Sequence, residues 1–139
     1  MKRFVLDASV ALSWFVDDPV APDAEHARQL LSKGWSAAVP RLWQLEMMNG
    51  FVKAERRRNL SSAEVDECFA EMQRLEEWSV RPDAGLASLA DTLEYARTLQ
   101  LTSYDASYVE LARREGLPLA TLDKGLRAAA AKAGVALLK

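Results

Sequence analysis

The sequence contains very few of the residues that support thiol, zinc or catalytic-triad chemistry. Its 139 residues include one cysteine and one histidine. Cys68 alone cannot form an intrachain disulfide, which is typical of a protein from a reducing compartment. One histidine and one cysteine cannot supply the usual nitrogen and sulfur ligands of a tetrahedral zinc site. A Ser-His-Asp triad would depend on His26, and the residues near it do not resemble the setting of a nucleophile.

Long apolar runs and an excess of basic charge are also absent. No run approaches the ~18 residues that span a membrane, and the apolar stretch at the start is interrupted by Asp7, too early for a signal peptide. The formal net charge is -2, which argues against a large nonspecific nucleic-acid surface. We therefore expect a cytoplasmic protein without a membrane partner, formed by one domain over residues 1–139.

Short apolar segments alternate with helical patterns, which predicts an α/β domain with a mainly parallel sheet covered on both faces. The predicted strands are residues 4–6, 37–39, 78–80, 117–121 and 135–138. The predicted helices are residues 8–15, 21–32, 40–58, 61–77, 84–99, 102–115 and 123–132. In the helix over 84–99, we expect Leu86, Leu89, Ala90, Leu93 and Ala96 to face inward.

Four of the 20 acidic residues stand at positions where such a sheet could gather them. Asp7 and Asp123 follow predicted strands, Asp105 lies in a first helical turn, and Glu46 lies in an apolar helical segment. Each has a purely structural alternative, because aspartates commonly cap helices, Asp105 matches a capping box with Thr102, and Glu46 can be solvent-exposed. Spacing alone does not show that the four acids converge.

If the four acids do converge, they form a cluster of like charge that needs protonation or a cation. Mg²⁺ or Mn²⁺ suits such oxygen ligands. Asn49 is three residues from Glu46 and can orient its carboxylate. Ser9 and Thr121 each stand two residues from a strand-end aspartate. Their hydroxyls either reach a metal-bound water or form local hydrogen bonds with the backbone.

Four motifs in this order resemble the PIN domain, and most closely the VapC ribonuclease toxins of toxin–antitoxin systems. The first is Phe4-Val5-Leu6-Asp7-Ala8-Ser9, and the second is Val39-Pro40 followed by Glu46-x-x-Asn49. The third runs from Leu101 to Tyr108, and the fourth from Leu119 to Leu126. The resemblance covers essentially the whole chain and implies a three-layer α/β/α fold.

The resemblance also implies a function, a metal and partners. It implies an endoribonuclease that hydrolyses RNA phosphodiester bonds with a metal-activated water and acts as the toxin of a type II module. Asp7, Glu46, Asp105 and Asp123 would hold Mg²⁺ or Mn²⁺, with Asp123 the most variable position in the family. It further implies a homodimer and a hetero-oligomer with a VapB-like antitoxin, which would typically insert an amphipathic segment.

Two surface features have open interpretations. The basic patch of Lys53, Arg56, Arg57 and Arg58 either contacts RNA or is a solvated helix end. Several aromatic residues are expected mostly in the core, with some available for a partner groove: Trp14, Phe15, Trp35, Trp43, Phe51 and Phe69.

Three other functions remain open from the sequence. The chain can be a noncatalytic binding module on the same fold, or a PIN nuclease for RNA processing without a toxin role. A phosphatase of the α/β class is the third, but it would commonly carry an Asp-x-Asp motif after the first strand. Here that position reads Asp7-Ala8-Ser9, which lacks the second acid.

Overall fold

The computed structural model describes residues 2–85 and 87–139. It confirms an α/β fold with a four-stranded parallel sheet. The described residues form four strands, β1 (Arg3–Leu6), β2 (Ser36–Val39), β3 (Val80–Pro82) and β4 (Leu119–Ala120). They form seven helices, α1 (Ala8–Val16), α2 (Pro22–Ser32), α3 (Trp43–Arg56), α4 (Ser62–Trp78), α5 (Leu89–Thr98), α6 (Ser103–Glu115) and α7 (Lys124–Lys132).

The strand order β3-β2-β1-β4 determines where the helices lie. All three pairings are parallel, so each connection crosses over the sheet, and such crossovers are almost always right-handed. The chain moves from β1 to β2 to β3 in one direction, which puts α1 to α4 on one face. The return from β3 to β4 puts α5 and α6 on the other. The core strands β1 and β2 are buried on both faces, as their continuous apolar sequences predict.

The helix predicted over residues 84–99 begins later than expected, and three of its five predicted inward residues are exposed, whereas Ala96 is partly buried. Helix α5 starts at Leu89, which is 83% exposed, and Ala90 and Leu93 are exposed as well. The backbone N–H of Gly85 donates to Asp83, and Ser88 caps the helix by accepting from Asp91 N. Turn and cap bonds therefore replace the first predicted turn. The inward placement of Leu86 lies outside the described residues.

Two other predicted boundaries shift for local reasons. Helix α3 starts at Trp43 rather than Pro40, after a turn, and ends before Arg58, whose φ of 60° is left-handed. Strand β3 starts at Val80 rather than Trp78, because α4 extends to Trp78 and Ser79 caps its C-terminus. The last predicted strand, over 135–138, is reduced to a single parallel bridge between Leu119 and Leu137.

A buried ion cluster holds helix α6 against the segment after β3. Arg114 donates to Asp83 Oδ2 at 2.6 Å and to Glu110 Oε2 at 2.9 Å. Glu110 is buried. Its negative charge is balanced by Arg114, which donates hydrogen bonds to both Glu110 and Asp83. The hydrogen bond from Arg114 keeps the pKa of Asp83 below its ordinary value. This cluster fixes the position of the helix that carries Asp105.

We predict that Asp83→Asn makes the free energy of unfolding less dependent on pH in the acidic range. Because the folded pKa is depressed, the ion pair contributes stability above the unfolded pKa of about 3.9 and loses it as pH falls through the folded value. Urea unfolding at pH 7 should show the variant to be about 1–2 kcal/mol less stable than wild type. This difference should shrink below pH 4. A difference that stays constant down to pH 2.5, as expected for exposed Asp66→Asn, would contradict the assignment.

Candidate active site

Seven of the residues singled out in the sequence line one cleft of about 340 Å³ at the carboxyl edge of the sheet. Asp7 and Ser9 come from the β1–α1 junction, and three residues of α3 form one wall. Asp105 comes from the first turn of α6, and Asp123 from the start of α7. The α3 residues are Glu46, Asn49 and Lys53. The structure therefore brings the four acids together around one space.

Asp7 is the most buried of the four acids, and two hydroxyl groups hold it. Ser9 Oγ and Thr121 Oγ1 donate to the same oxygen, Asp7 Oδ2, at 2.6 and 2.7 Å. Burial raises the pKa of Asp7, although these two hydrogen bonds partly offset the rise. Asp7 occupies the N-cap position of α1 without making a side-chain cap bond. The capping explanation therefore does not account for this carboxylate.

The two hydroxyl groups form the backbone hydrogen bonds that the sequence analysis considered, and a bond to Asp7 that it did not consider. Ser9 Oγ accepts the backbone N–H of Leu122 at 3.0 Å, and Thr121 Oγ1 accepts that of Asp123 at 3.1 Å. Each hydroxyl thus forms a backbone hydrogen bond and also directs its proton to Asp7. The result ties the ends of β1 and β4 to one carboxylate.

Glu46 is half-buried and is held by a residue that the sequence analysis did not identify. Tyr108 OH donates to Glu46 Oε1 at 2.5 Å, whereas in the described residues no hydrogen bond joins Asn49 to a carboxylate. Burial raises the pKa of Glu46, and the charges of Asp7 and Asp105 raise it further. Burial and the nearby acids also raise the pKa of Tyr108 well above its usual value. The one signal in the sequence is the spacing of Tyr108 three residues after Asp105, on the same helical face.

Asp105 and Asp123 differ in how far helix capping occupies them. Thr102 accepts the backbone N–H of Asp105, but the described residues show no hydrogen bond to the Asp105 carboxylate in return. Burial raises the pKa of Asp105, and the charges of Asp7 and Asp123 add to the rise. Asp123 is exposed and does cap α7, since its Oδ1 accepts Leu126 N at 2.9 Å. Only Asp123 fits the capping alternative.

Gly50 allows α3 to approach α1 and thus brings Glu46 towards Asp7. A Cβ atom at this position would lie 2.4 Å from Leu12 Cδ2, closer than any real contact. Both Leu12 and Gly50 line the cleft beside the acids. A side chain at position 50 would therefore force Leu12 to change its position beside the cleft.

Residues 4–132 match the family model described as PIN domain. This chain belongs to the PIN-domain family. It is also similar to a solved structure titled crystal structure of PAE2754 from Pyrobaculum aerophilum, with 26% sequence identity and a TM-score of 0.67. That similarity covers 92% of this chain and 79% of the other. No curated protein matches. PIN domains are generally nucleases and typically use divalent metals.

The donor atoms of this PIN domain fit a hard divalent cation that retains part of its water shell. Asp7 Oδ1, Glu46 Oε2 and both oxygens of Asp105 receive no hydrogen bond from the residues that the structure describes. Within residues 2–85 and 87–139, however, no group of three acids is close enough to enclose an ion directly. Mg²⁺ commonly binds through one or two carboxylates and several waters. The cleft fits that mode rather than a cage built only from protein ligands.

The basic patch divides into two parts in the structure. Lys53 lines the acidic cleft, whereas the three arginines at the end of α3 are exposed and do not line it. They are Arg56, Arg57 and Arg58.

None of the helices in the described residues is long and apolar enough to cross a bilayer.

We predict that Asp105→Asn stabilises this PIN domain at pH 7 when no divalent metal is present. The folded pKa of Asp105 is raised, so its ionised form costs stability as pH rises through and above the unfolded value. Replacement removes that charge without breaking a hydrogen bond. The melting temperature should rise by about 2–4 °C, and the gain should vanish near pH 3.5.

The control for this prediction is Asp66→Asn, which removes an exposed acid on α4 remote from the cleft. It should not raise the melting temperature at either pH. A melting temperature of Asp105→Asn at or below that of wild type at pH 7 would show that the acids do not repel one another.

Proposed function

We propose that this PIN domain is a Mg²⁺- or Mn²⁺-dependent endoribonuclease and the toxin of a type II toxin–antitoxin module. The observation that carries the nuclease proposal is the convergence of four carboxylates on one cleft, with the most buried, Asp7, fixed by two hydroxyl groups. A cluster of like charges, in which the pKa values of Asp7, Glu46 and Asp105 are raised, is an unfavourable arrangement unless a cation compensates it. Family membership supports the same reaction class.

The proposed metal ligands are the four carboxylates, Asp7, Glu46, Asp105 and Asp123. A bound Mg²⁺ or Mn²⁺ would activate a water and stabilise charge on the phosphoryl oxygens. Ser9 and Thr121 hold Oδ2 of Asp7, which leaves Oδ1 available. A carboxylate that does not bind the cation would orient the attacking water or accept its proton. Lys53 at the cleft would contact a phosphate of the RNA backbone.

The test of the nuclease proposal is RNA cleavage by Asp7→Asn and Asp105→Asn in the presence of Mg²⁺ or Mn²⁺. Each variant should cleave at least about 100-fold more slowly than wild type, because each loses a ligand charge at the site of reaction. Asp66→Asn is the matched control and should cleave at the wild-type rate. Undiminished cleavage by both cleft variants would overturn the proposal.

A binding module without catalysis is distinguished by metal titration of the wild-type protein. A cation that binds only the folded state stabilises it by RT ln(1 + [M]/Kd), so the melting temperature rises with cation concentration. The nuclease proposal therefore expects stabilisation by Mn²⁺ that Asp7→Asn abolishes. An unchanged wild-type melting temperature at millimolar Mn²⁺, together with absent cleavage, supports the binding module.

The two parts of the basic patch make different predictions for RNA binding. Lys53→Ala should weaken binding and reduce the slope of log affinity against log salt by about 0.7–1, the effect of one phosphate contact. The Arg56/Arg57/Arg58→Ala triple should leave the slope unchanged, because these side chains lie outside the cleft lining. A reduced slope for the triple alone would place the RNA on the helix end instead.

A toxin role implies an antitoxin partner, and one surface of the molecule is suited to bind it. A cavity of about 560 Å³ between α1 and α4 is lined by apolar groups including Phe15, Leu60 and Cys68. Glu64, Glu67 and Glu71 line it too, together with Arg74, which pairs with Glu71, and most of α4 is exposed. An amphipathic segment rich in lysine or arginine complements such a groove. A neighbouring reading frame for a small DNA-binding protein would distinguish the toxin from an RNA-processing nuclease.

We also propose a homodimer. Leu45, Leu89, Leu93 and Trp78 are large apolar side chains that remain exposed in the single chain, and Trp78 is 78% exposed. Contiguous exposed apolar groups commonly mark an interaction site, and Leu89 and Leu93 are one turn apart on α5. Light scattering at high protein concentration measures the association.

A further inference from the structure

We infer that Tyr108 is a positioning residue that fixes the carboxylate of Glu46 at the acidic cleft. The inference rests on the proposed function, since it assigns Tyr108 a role in presenting Glu46 to the cation. Tyr108 lies outside the cleft lining and acts through Glu46 alone. It is thus a supporting residue, distinct from the four proposed ligands.

The geometry makes Tyr108 a rigid anchor. Its side chain is fully buried, with 0% exposure, and packs in the main hydrophobic core. The hydroxyl donates to Glu46 Oε1 at 2.5 Å, within the range of a hydrogen bond to a charged acceptor. A tyrosine has only two side-chain torsions, and both are fixed here by packing. The oxygen that Glu46 presents to Tyr108 is therefore held in one place.

The hydrogen bond joins two layers of the fold. Glu46 belongs to α3, on the face of the sheet that carries α1 to α4, whereas Tyr108 belongs to α6 on the opposite face. The contact passes over the carboxyl edge of the sheet, where Asp7 ends β1. Since α6 also carries Asp105 one turn earlier, one helix supplies an acid and the group that orients another acid.

Glu46 needs such an anchor more than the aspartates do. Its side chain has three torsions and is only half-buried, and in the described residues Tyr108 provides its one side-chain hydrogen bond. With Oε1 occupied, Oε2 is the oxygen free to face the cleft. Supporting hydrogen bonds of this kind typically contribute 10–100-fold to metal affinity.

The test measures the Mn²⁺ dissociation constant of the full chain by electron paramagnetic resonance, in wild type and in Tyr108→Phe. We expect about 10-fold weaker binding in the variant, because phenylalanine preserves the packing and removes only the donor. The control is Tyr95→Phe, which removes the hydroxyl of a partly buried tyrosine of α5. Within residues 2–85 and 87–139, this hydroxyl forms no hydrogen bond. It should bind Mn²⁺ as wild type does. Urea unfolding verifies that both variants are folded.

A double-mutant cycle with Glu46→Ala separates positioning from a general disturbance of α6. If Tyr108 acts through Glu46, Tyr108→Phe has no further effect once Glu46 is alanine. If the variant instead displaces Asp105, the 10-fold loss persists in both backgrounds, which overturns the inference. Wild-type Mn²⁺ affinity in Tyr108→Phe overturns it as well. An absence of Mn²⁺ binding and cleavage in the wild-type protein would overturn the proposed function itself.

Discussion

The structure depends on the way one buried carboxylate, Asp7, joins the two strands at the centre of the site. The backbone N–H of Asp7 donates to Ala120 O at 2.9 Å, and Thr121 donates to its side chain. Asp7 thus extends the backbone pairing of β1 with β4, and its carboxylate lies where that pairing ends. Burial of a carboxylate is costly unless it is hydrogen-bonded. The two hydroxyl groups at Oδ2 reduce that cost while leaving the other oxygen available.

The remaining acids follow from the topology around Asp7. In a parallel sheet all strands end at one edge, so the segments that follow β1 and β4 meet there. Helix α3 reaches the same edge because Gly50 allows close contact with α1, and α6 is held by its buried ion cluster. Burial raises the pKa values of Glu46 and Asp105, and the charges of the neighbouring acids raise them further. The fold therefore tolerates an electrostatically unfavourable cluster by anchoring each of its members separately.

The sequence predicted the features that depend on local chemistry or on parallel topology. The predicted strand before Asp7, the predicted helix start near residue 61 and the predicted helix end at residue 115 are examples. The structure shows their local causes: a Ser61–Glu64 capping box begins α4 and the left-handed Gly116 ends α6. Features that depend on distant contacts could not be read this way. The bond of Tyr108 to Glu46 joins residues 62 positions apart. The apolar spacing of Leu89 and Leu93 is typical of a buried face, yet both are exposed, since periodicity identifies a face but not what covers it.

The four acids are not equivalent, and their hydrogen bonds explain the difference. Asp123 Oδ1 is occupied by the cap of α7, so a cation drawn to this carboxylate competes with the helix for it. The Asp105 carboxylate accepts no hydrogen bond from the residues that the structure describes. Asp7 and Glu46 each have one carboxylate oxygen that accepts a hydrogen bond and one that does not. In such a site, replacing Asp123 mainly lowers the stability of α7, and it weakens cation binding to a smaller extent. Another residue that caps a helix, such as serine or threonine, would therefore satisfy the structural requirement at position 123 without satisfying the proposed chemical one.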